Sequence, residues 1–357
     1  MAIQYGQISD KWYIIDPDVT TDHGNSSNVG SIAWALASAS NDTLIQLVGG
    51  DYEFRSRCYV DTKSGITLRG AGRYTSKIIA NRTYLDSVMK DCIFFEDCDN
   101  LTVEHLGCDT LNNPTSAQTN NFIIISGGSV ENITVRNCLF TGMNPWYALT
   151  ISTGAGAGAN SVKVLDNIFV DGVYGMGFTA YTGGLYIAGV DSVLVARNKF
   201  SNCGPGLAFN FANNTRMVFV DNYVHNSEDR SYDSVDNRAE FDNQDDFIVA
   251  SNMFHNQETY SSELIYFLLV VDCNDGVFAG NIHRNSLNSD AGGQNVDFQN
   301  CSGISLEGQI SAMNRRGIDC TATDGNTVIH GNAMIEYLTY LGTTHNPGSS
   351  TTHFYTY

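Results

Sequence analysis

One stretch of this chain keeps returning, and it narrows the choice of fold more than anything else in the sequence. A run of alternating apolar residues leads into an asparagine, and a large apolar side chain often follows two positions later. The pattern is clearest at Val162–Phe169 around Asn167, Val193–Phe200 around Asn198, Met217–Val224 around Asn222 and Phe247–Phe254 around Asn252. Weaker copies place further markers at Asn137, Asn281, Gln309 and Asn332, and successive markers stand 30, 31, 24, 30, 29, 28 and 23 residues apart. Self-similarity at a period of about 20–50 residues marks a stacked repeat, because one unit cannot bury its apolar face alone.

Inside each unit the apolar positions alternate with period two between Gly-, Asn- and Asp-rich turns, and no helix-forming stretch intervenes. The units are therefore short strands. A propeller blade needs about 40–45 residues and a leucine-rich repeat needs its fixed Leu pattern. A two-sheet sandwich would give antiparallel hairpins with no Asn register. What fits is an all-β parallel β-helix with one repeat per coil. Coils would lie ~4.8 Å apart, as neighbouring strands do, so equivalent side chains form ladders. Asn suits a ladder because it tolerates left-handed backbone and its amide can bond the coils above and below. Phe169, Phe200, Val224 and Phe254 are expected to stack inside.

Among 357 residues, 42% are hydrophobic and 16% charged, and there is no Pro/Ser-rich hinge. One continuous architecture follows: residues 1–48 as an N-terminal segment with a capping helix, 49–335 as the β-helix, and 336–357 as a C-terminal cap or subunit-contact tail. The helix is expected over Ser31–Ala39, where Ile32, Trp34, Leu36 and Ala39 give a broad apolar surface after Asn and Ser residues able to act as N-cap. A net charge of −19 argues against nucleic acid or an anionic membrane as partner. Nine cysteines without a C-x-x-C pair argue against a zinc site and read as free, buried thiols. The N-terminus lacks the basic start and apolar core of a signal peptide, and no run is long enough to cross a bilayer.

Gly49–Phe54 (GGDYEF), Gly65–Ile79 (GITLRGAGRYTSKII) and the Asn-x-Phe coils together resemble the pectate-lyase-like superfamily of right-handed, single-stranded parallel β-helices, over about residues 25–335. The resemblance implies a fold that hosts polysaccharide lyases, glycoside hydrolases, epimerases and phage tailspike depolymerases. It does not choose among them, since such a superfamily shares its coil and not its active site. The helix near residue 31 resembles the one that caps the N-terminal mouth in many members.

One acidic run does not recur and so reads as a site. Asp233, Asp236, Arg238, Glu240, Asp242, Asp245 and Asp246 crowd into fourteen positions. Counting back from the markers puts Ile187, Phe211, Phe241, Val270 and Phe298 in one inward column, and Tyr186, Asn210, Glu240, Leu269 and Asp297 in the outward column beside it. Arg238 and Phe267 lie two residues further back on that outward face, with Asp236 beyond. Glycoside hydrolysis needs two carboxyl groups about 5–9.5 Å apart. Asp236 and Glu240 on an extended strand would be about 13 Å apart, so Glu240 with Asp242, Asp297 or Asp233 is the better pair. Tyr186, Tyr232 and Phe267 could stack on sugar rings, and Asn210 could bond them.

Asp245, Asp246, Asp272 and Asp275 could supply the oxygens of a Ca²⁺ site; the plainer reading is that Asp suits turns. In a calcium-dependent lyase of the resembled kind, that metal would neutralise a uronate and Arg238 would act as base. The polygalacturonan hydrolases of the superfamily carry a paired Asp, a Gly-His-Gly and an Arg-x-Lys; Asp245-Asp246 matches the first loosely, and the other two are missing. A second outward column, Ser201, His225, His255 and Arg284, forms a cationic stripe able to hold a carboxylate or sulfate. The leading expectation is a polysaccharide-degrading enzyme, hydrolase or lyase, such as a tailspike depolymerase. The alternatives are a non-catalytic carbohydrate-binding or structural β-helix, such as a phage tail adhesin, and a glycan epimerase or fructan-processing transferase. A homotrimer on a virion, or an extracellular protein, would suit these readings.

Overall fold

The computed structural model describes residues 6–9, 11–85, 91–111, 121–128, 130–141, 147–153, 159–170, 183–201, 203, 209–226, 239–256, 266–285, 294–308, 310–312, 316–321, 328–330, 334–336 and 353–355. They wind into a parallel β-helix whose three faces are sheets of 14, 11 and 10 strands, called sheets A, B and C here. One coil shows the pattern: Gly183–Ala188 lies on sheet C, Val190–Ala196 on sheet A and Lys199–Ser201 on sheet B. The next coil repeats it with Phe209–Ala212, Thr215–Val220 and Tyr223–Asn226, and the next with Glu240–Asp242, Asp245–Ala250 and Met253–Asn256. Each strand pairs in parallel with its equivalent on the neighbouring coil, as at Phe211↔Phe241↔Val270. The first pair, Gly6–Ser9 with Trp12–Ile15, is antiparallel, and Trp12–Ile15 then pairs in parallel with Leu44–Leu47. The N-terminal segment thus contributes strands to sheet A as well as the helix.

That helix runs over Ile32–Ser38, with the Ser31 hydroxyl accepting the Trp34 N–H at 2.9 Å as its N-cap. Its Ile32, Ala33, Ala35 and Leu36 are buried. The expected interior stack is present. Phe140, Phe169 and Phe200 lie face to face with centroids 4.9 Å apart at each step, matching the coil spacing. Phe254 continues the column beyond Val224 and packs on Phe219.

The asparagine ladder is real, but its first rung is Cys138 and not Asn137. Leu139 pairs with Ile168, and the Cys138 N–H donates to Asn167 Oδ1 at 2.9 Å. Buried Asn167, Asn198, Asn222, Asn252 and Asn281 follow, each accepting from the backbone N–H of the preceding rung and donating to a carbonyl a coil below. The left-handed conformation belongs to the residue before each rung: Asn137, Asp166, Arg197, Asp221, Ser251 and Gly280 have φ between 54° and 60°. The reason is division of labour at the turn. One residue reverses the chain with positive φ, and the next points its amide inward to bond backbone that the turn has left unpaired. Asn137 does the first task only. Gln309 and Asn332, the last two markers, fall outside the described residues.

A second buried ladder lines the turn from sheet C to sheet A through Asn214, Gln244, Cys273 and Cys301. Each reaches a carbonyl one coil below: Ile187, Phe211, Phe241 and Val270 respectively. The eight cysteines with described side chains are all buried and none is in a disulfide. Burial pushes the Cys138 thiol up to about 12, which suits a packing role.

Candidate active site on sheet C

Glu240 and Asp242 reach the outer face of sheet C because Phe241 between them is held inside. Phe241 is fully buried and packs against Phe209, Phe211 and Phe219 at 5.4–5.8 Å between centroids. With alternate residues on opposite faces, anchoring the phenyl ring presents both carboxyl groups on one side. Pairing then sets their neighbours. Tyr186, Asn210, Glu240, Leu269 and Asp297 share one rung-to-rung column, as the sequence spacing indicated. Ala188, Ala212, Asp242 and Val271 form the column two residues on.

The chemistry of the pair follows from its surroundings. Glu240 is largely shielded, with Ala212 and Leu269 nearly buried on the flanking coils. Burial raises its carboxyl above the usual range, and the neighbouring Asp242 charge adds to that. Asp242 is raised as well, first by burial and then by Asp272 in the following turn. Asn210 Nδ2 donates to Glu240 Oε2 at 2.8 Å. Tyr186 stacks on Tyr147 with centroids 5.1 Å apart. Its hydroxyl is raised by burial and then by the Asp242 charge. Two carboxyl groups and an aromatic pair thus occupy one face.

The remaining candidates separate into groups. Tyr232, Asp233, Asp236 and Arg238 fall in residues 227–238, outside the described residues. Asp297, Phe267 and Arg284 have described backbone only; Asp297 stands on the Glu240 column, two coils on. Arg284 follows His225 and His255 on sheet B. The histidine rings sit 5.1 Å apart, but on a different face from Glu240, so the stripe belongs to no common site with the carboxyl pair.

The proposed calcium ligands Asp245, Asp246, Asp272 and Asp275 do not gather: among the described residues no three His, Cys, Asp or Glu side chains could hold a metal. Asp246, Asp272 and Asp275 take φ of 51–53°, the left-handed turn positions that Asp tolerates, and Asp245 pairs with Asn274 on the ladder. Tyr147 was missed by counting. Its register partner on the next coil is Gly183, and Thr150 is the residue that pairs with Tyr186, so Tyr147 lies off the counted column and reaches Tyr186 only through its ring.

No protein-family model matches the chain, and no curated protein matches it. Solved structures do match in shape. A surface adhesin of Streptococcus pneumoniae superposes with a TM-score of 0.58 at 10% identity, covering 91% of this chain and 91% of its own. DFA-IIIase of Arthrobacter chlorophenolicus A6, in complex with GF2, gives 0.58 at 14% identity over 90% and 88%. The enzymatically active domain of bacteriophage CBA120 tailspike protein 2 gives 0.50 at 12%, covering 89% of this chain and 42% of the tailspike chain. An adhesin and two enzymes on one backbone show that the likeness speaks for architecture and not for chemistry. At these identities the shared property is the fold, and the chain is a parallel β-helix.

Proposed function

We propose that the chain is a glycoside hydrolase acting on a neutral polysaccharide or oligosaccharide laid along sheet C, with Glu240 as general acid and Asp242 as general base. One observation carries the reading: two carboxyl groups project from the same face of one strand, both held above their usual range. Two residues of extended strand separate their Cα atoms by about 6.5–7 Å. Carboxyl pairs about 6.5–9.5 Å apart leave room for a water and invert the anomeric centre. Neutral Glu240 would give its proton to the glycosidic oxygen as the bond to the anomeric carbon breaks. Ionised Asp242 would take a proton from the water whose oxygen forms the new bond. Tyr186, stacked on Tyr147, offers an aromatic face for a neighbouring ring.

Neutral sugars are favoured because Asp242 and Asp272 put negative charge beside Glu240, and a uronate or sulfate would add a like charge to it. The tailspike and DFA-IIIase neighbours support a carbohydrate substrate in a general way. The test is reducing-end release from a panel of neutral and uronate glycans by wild type, Glu240→Gln and Asp242→Asn. Each substitution should cost about 10²–10⁴-fold in kcat on the neutral substrate that wild type cleaves. Glycan binding with no cleavage by wild type would replace this reading with the adhesin-like one. For the expected homotrimer, light scattering should give three times the 39.0 kDa chain mass.

A further inference from the structure

Among the described residues, Asn210 differs from the asparagines of the buried ladder. In the buried ladder both ends of each amide are committed. Asn198, for example, donates from Nδ2 to the Val164 carbonyl at 2.8 Å while its Oδ1 accepts the Asn167 N–H at 2.9 Å, so turning the amide over would break both bonds. Asn210 has one commitment, the 2.8 Å bond from Nδ2 to Glu240 Oε2. Its Oδ1 is buried and has no hydrogen-bond partner among the described residues. The two ends of an amide have nearly the same shape and opposite hydrogen-bonding roles. With nothing holding the far end, only the carboxyl group of Glu240 selects which end faces it.

We propose that Asn210 is a positioning residue that holds Glu240 in both of its protonation states, its amide turning over as the carboxyl group gains or loses its proton. This deepens the reading of Glu240 as a proton donor and rests on it for its purpose, though not for its geometry. When Glu240 is ionised, Nδ2 donates to Oε2. When Glu240 is protonated, its O–H donates to Oδ1 at the same place, and the NH₂ group takes the unpartnered position. In either state the far end of the amide lacks a partner, so its desolvation cost falls on both orientations and does not bias the choice. The acid can therefore release and regain its proton with the same neighbour always bonded and its carboxyl group always aimed the same way.

Among the described residues the charge that bears on Glu240 is Asp242 on its own strand, which Asp272 influences in turn; Tyr186 lies two rungs below on the same column, and the backbone of Asp297 two rungs above. Leu269 fills the rung between Glu240 and Asp297. No described side chain bonds the far end of the Asn210 amide.

The experiment is a pH titration of the full chain by NMR, with ¹³C in glutamate carboxyl groups and ¹³C and ¹⁵N in asparagine side chains. Glu240→Gln and Asn210→Ala assign the two residues. As pH falls through the Glu240 midpoint, the Asn210 NH₂ protons should lose their hydrogen-bonded shift while its carbonyl carbon moves downfield, both with that same midpoint. The amide of Asn198 should not respond. In Glu240→Gln the Asn210 signals should become independent of pH. Because the amide supports both states, Asn210→Ala should move the Glu240 midpoint by less than about 0.5 unit; loss of a donor fixed on the ionised form would raise it by about a unit or more. Amide protons that keep their hydrogen-bonded shift across the titration, or a midpoint raised by that larger amount, overturn the proposal. The readout needs no catalysis, so a chain that proves to bind glycans without cleaving them would overturn the hydrolase reading and leave this result standing.

Discussion

At the scale of single residues, two buried or half-buried side chains with similar chemistry have opposite consequences for stability. Asn222 is bonded at every polar atom, accepting the Asn198 N–H at 2.8 Å and donating to the Val195 carbonyl at 3.0 Å. Asn222→Ala strands backbone groups that water cannot reach, and chemical denaturation should show a loss of about 3 kcal/mol. Glu240 works the other way. Its carboxyl group is raised by burial, so the folded chain binds that proton more tightly than the unfolded chain. Stability from such a group is full below the unfolded value and is lost as pH rises through the folded one. Glu240→Gln should therefore melt about 1–2 °C above wild type at pH 7, with the gap closing toward pH 4.

The same titrations would set the activity profile of the proposed hydrolase. It would need Asp242 ionised and Glu240 protonated, so the rising limb should follow Asp242 and the falling limb Glu240, both displaced upward. Asp272 helps raise Asp242. Asp272→Asn keeps a side chain suited to its φ of 53° and removes the charge. Its rising limb should move to lower pH with kcat at the plateau unchanged; an unmoved limb would deny Asp272 that influence.

At the scale of the element, the three-residue strand Glu240–Asp242 depends on its central ring. Phe241 lies among Phe209, Phe211 and Phe219, and Phe247 packs on it from the next strand at 6.0 Å. Phe241→Ala should cost about 3–5 kcal/mol in stability. It should also reduce kcat more than it weakens glycan binding, since the carboxyl groups lose the anchor that aims them; a purely global effect would lower the active fraction and leave kcat per folded molecule intact. Much of this element was legible in the sequence. The alternation around Phe241 and the count from Asn252 placed Glu240 beside Asn210 and below Leu269. Tyr147 was not legible, because it pairs with Gly183 and so lies off the column that the count followed.

At the scale of the molecule, the net charge of −19 is spread over a solenoid whose described ion pairs are mostly at the surface. Exposed pairs contribute about 0–1 kcal/mol each, whereas like-charge repulsion acts across the whole surface. Screening should relieve more than it removes, so the melting temperature should rise between 20 mM and 300 mM NaCl; a fall would mean that the pairs matter more than the repulsion. One pair stands apart. Glu104, itself only 1% exposed, accepts from Arg69 at 2.5 Å and Arg136 at 2.6 Å on its two neighbouring coils. Burial alone would raise its carboxyl group, but the two guanidinium bonds outweigh it and hold the group below its usual value.

By itself the sequence determined the period, the direction of the strand side chains on the counted columns and the class of fold. The reason is that a parallel coil repeats its environment every ~4.8 Å, so like residues return at like positions and leave a trace in one dimension. It also placed Glu240 and Asp242 on one face, since two-residue alternation is local. The tertiary structure decided what depends on lateral neighbours. It moved the first rung of the ladder to Cys138, turned Asp246, Asp272 and Asp275 into left-handed turn residues, set the histidine stripe on another face, and left one end of the Asn210 amide without a partner. Those outcomes turn on what packs against a side chain from the next coil and the next sheet, and the residue count fixes the coil but not the environment around it.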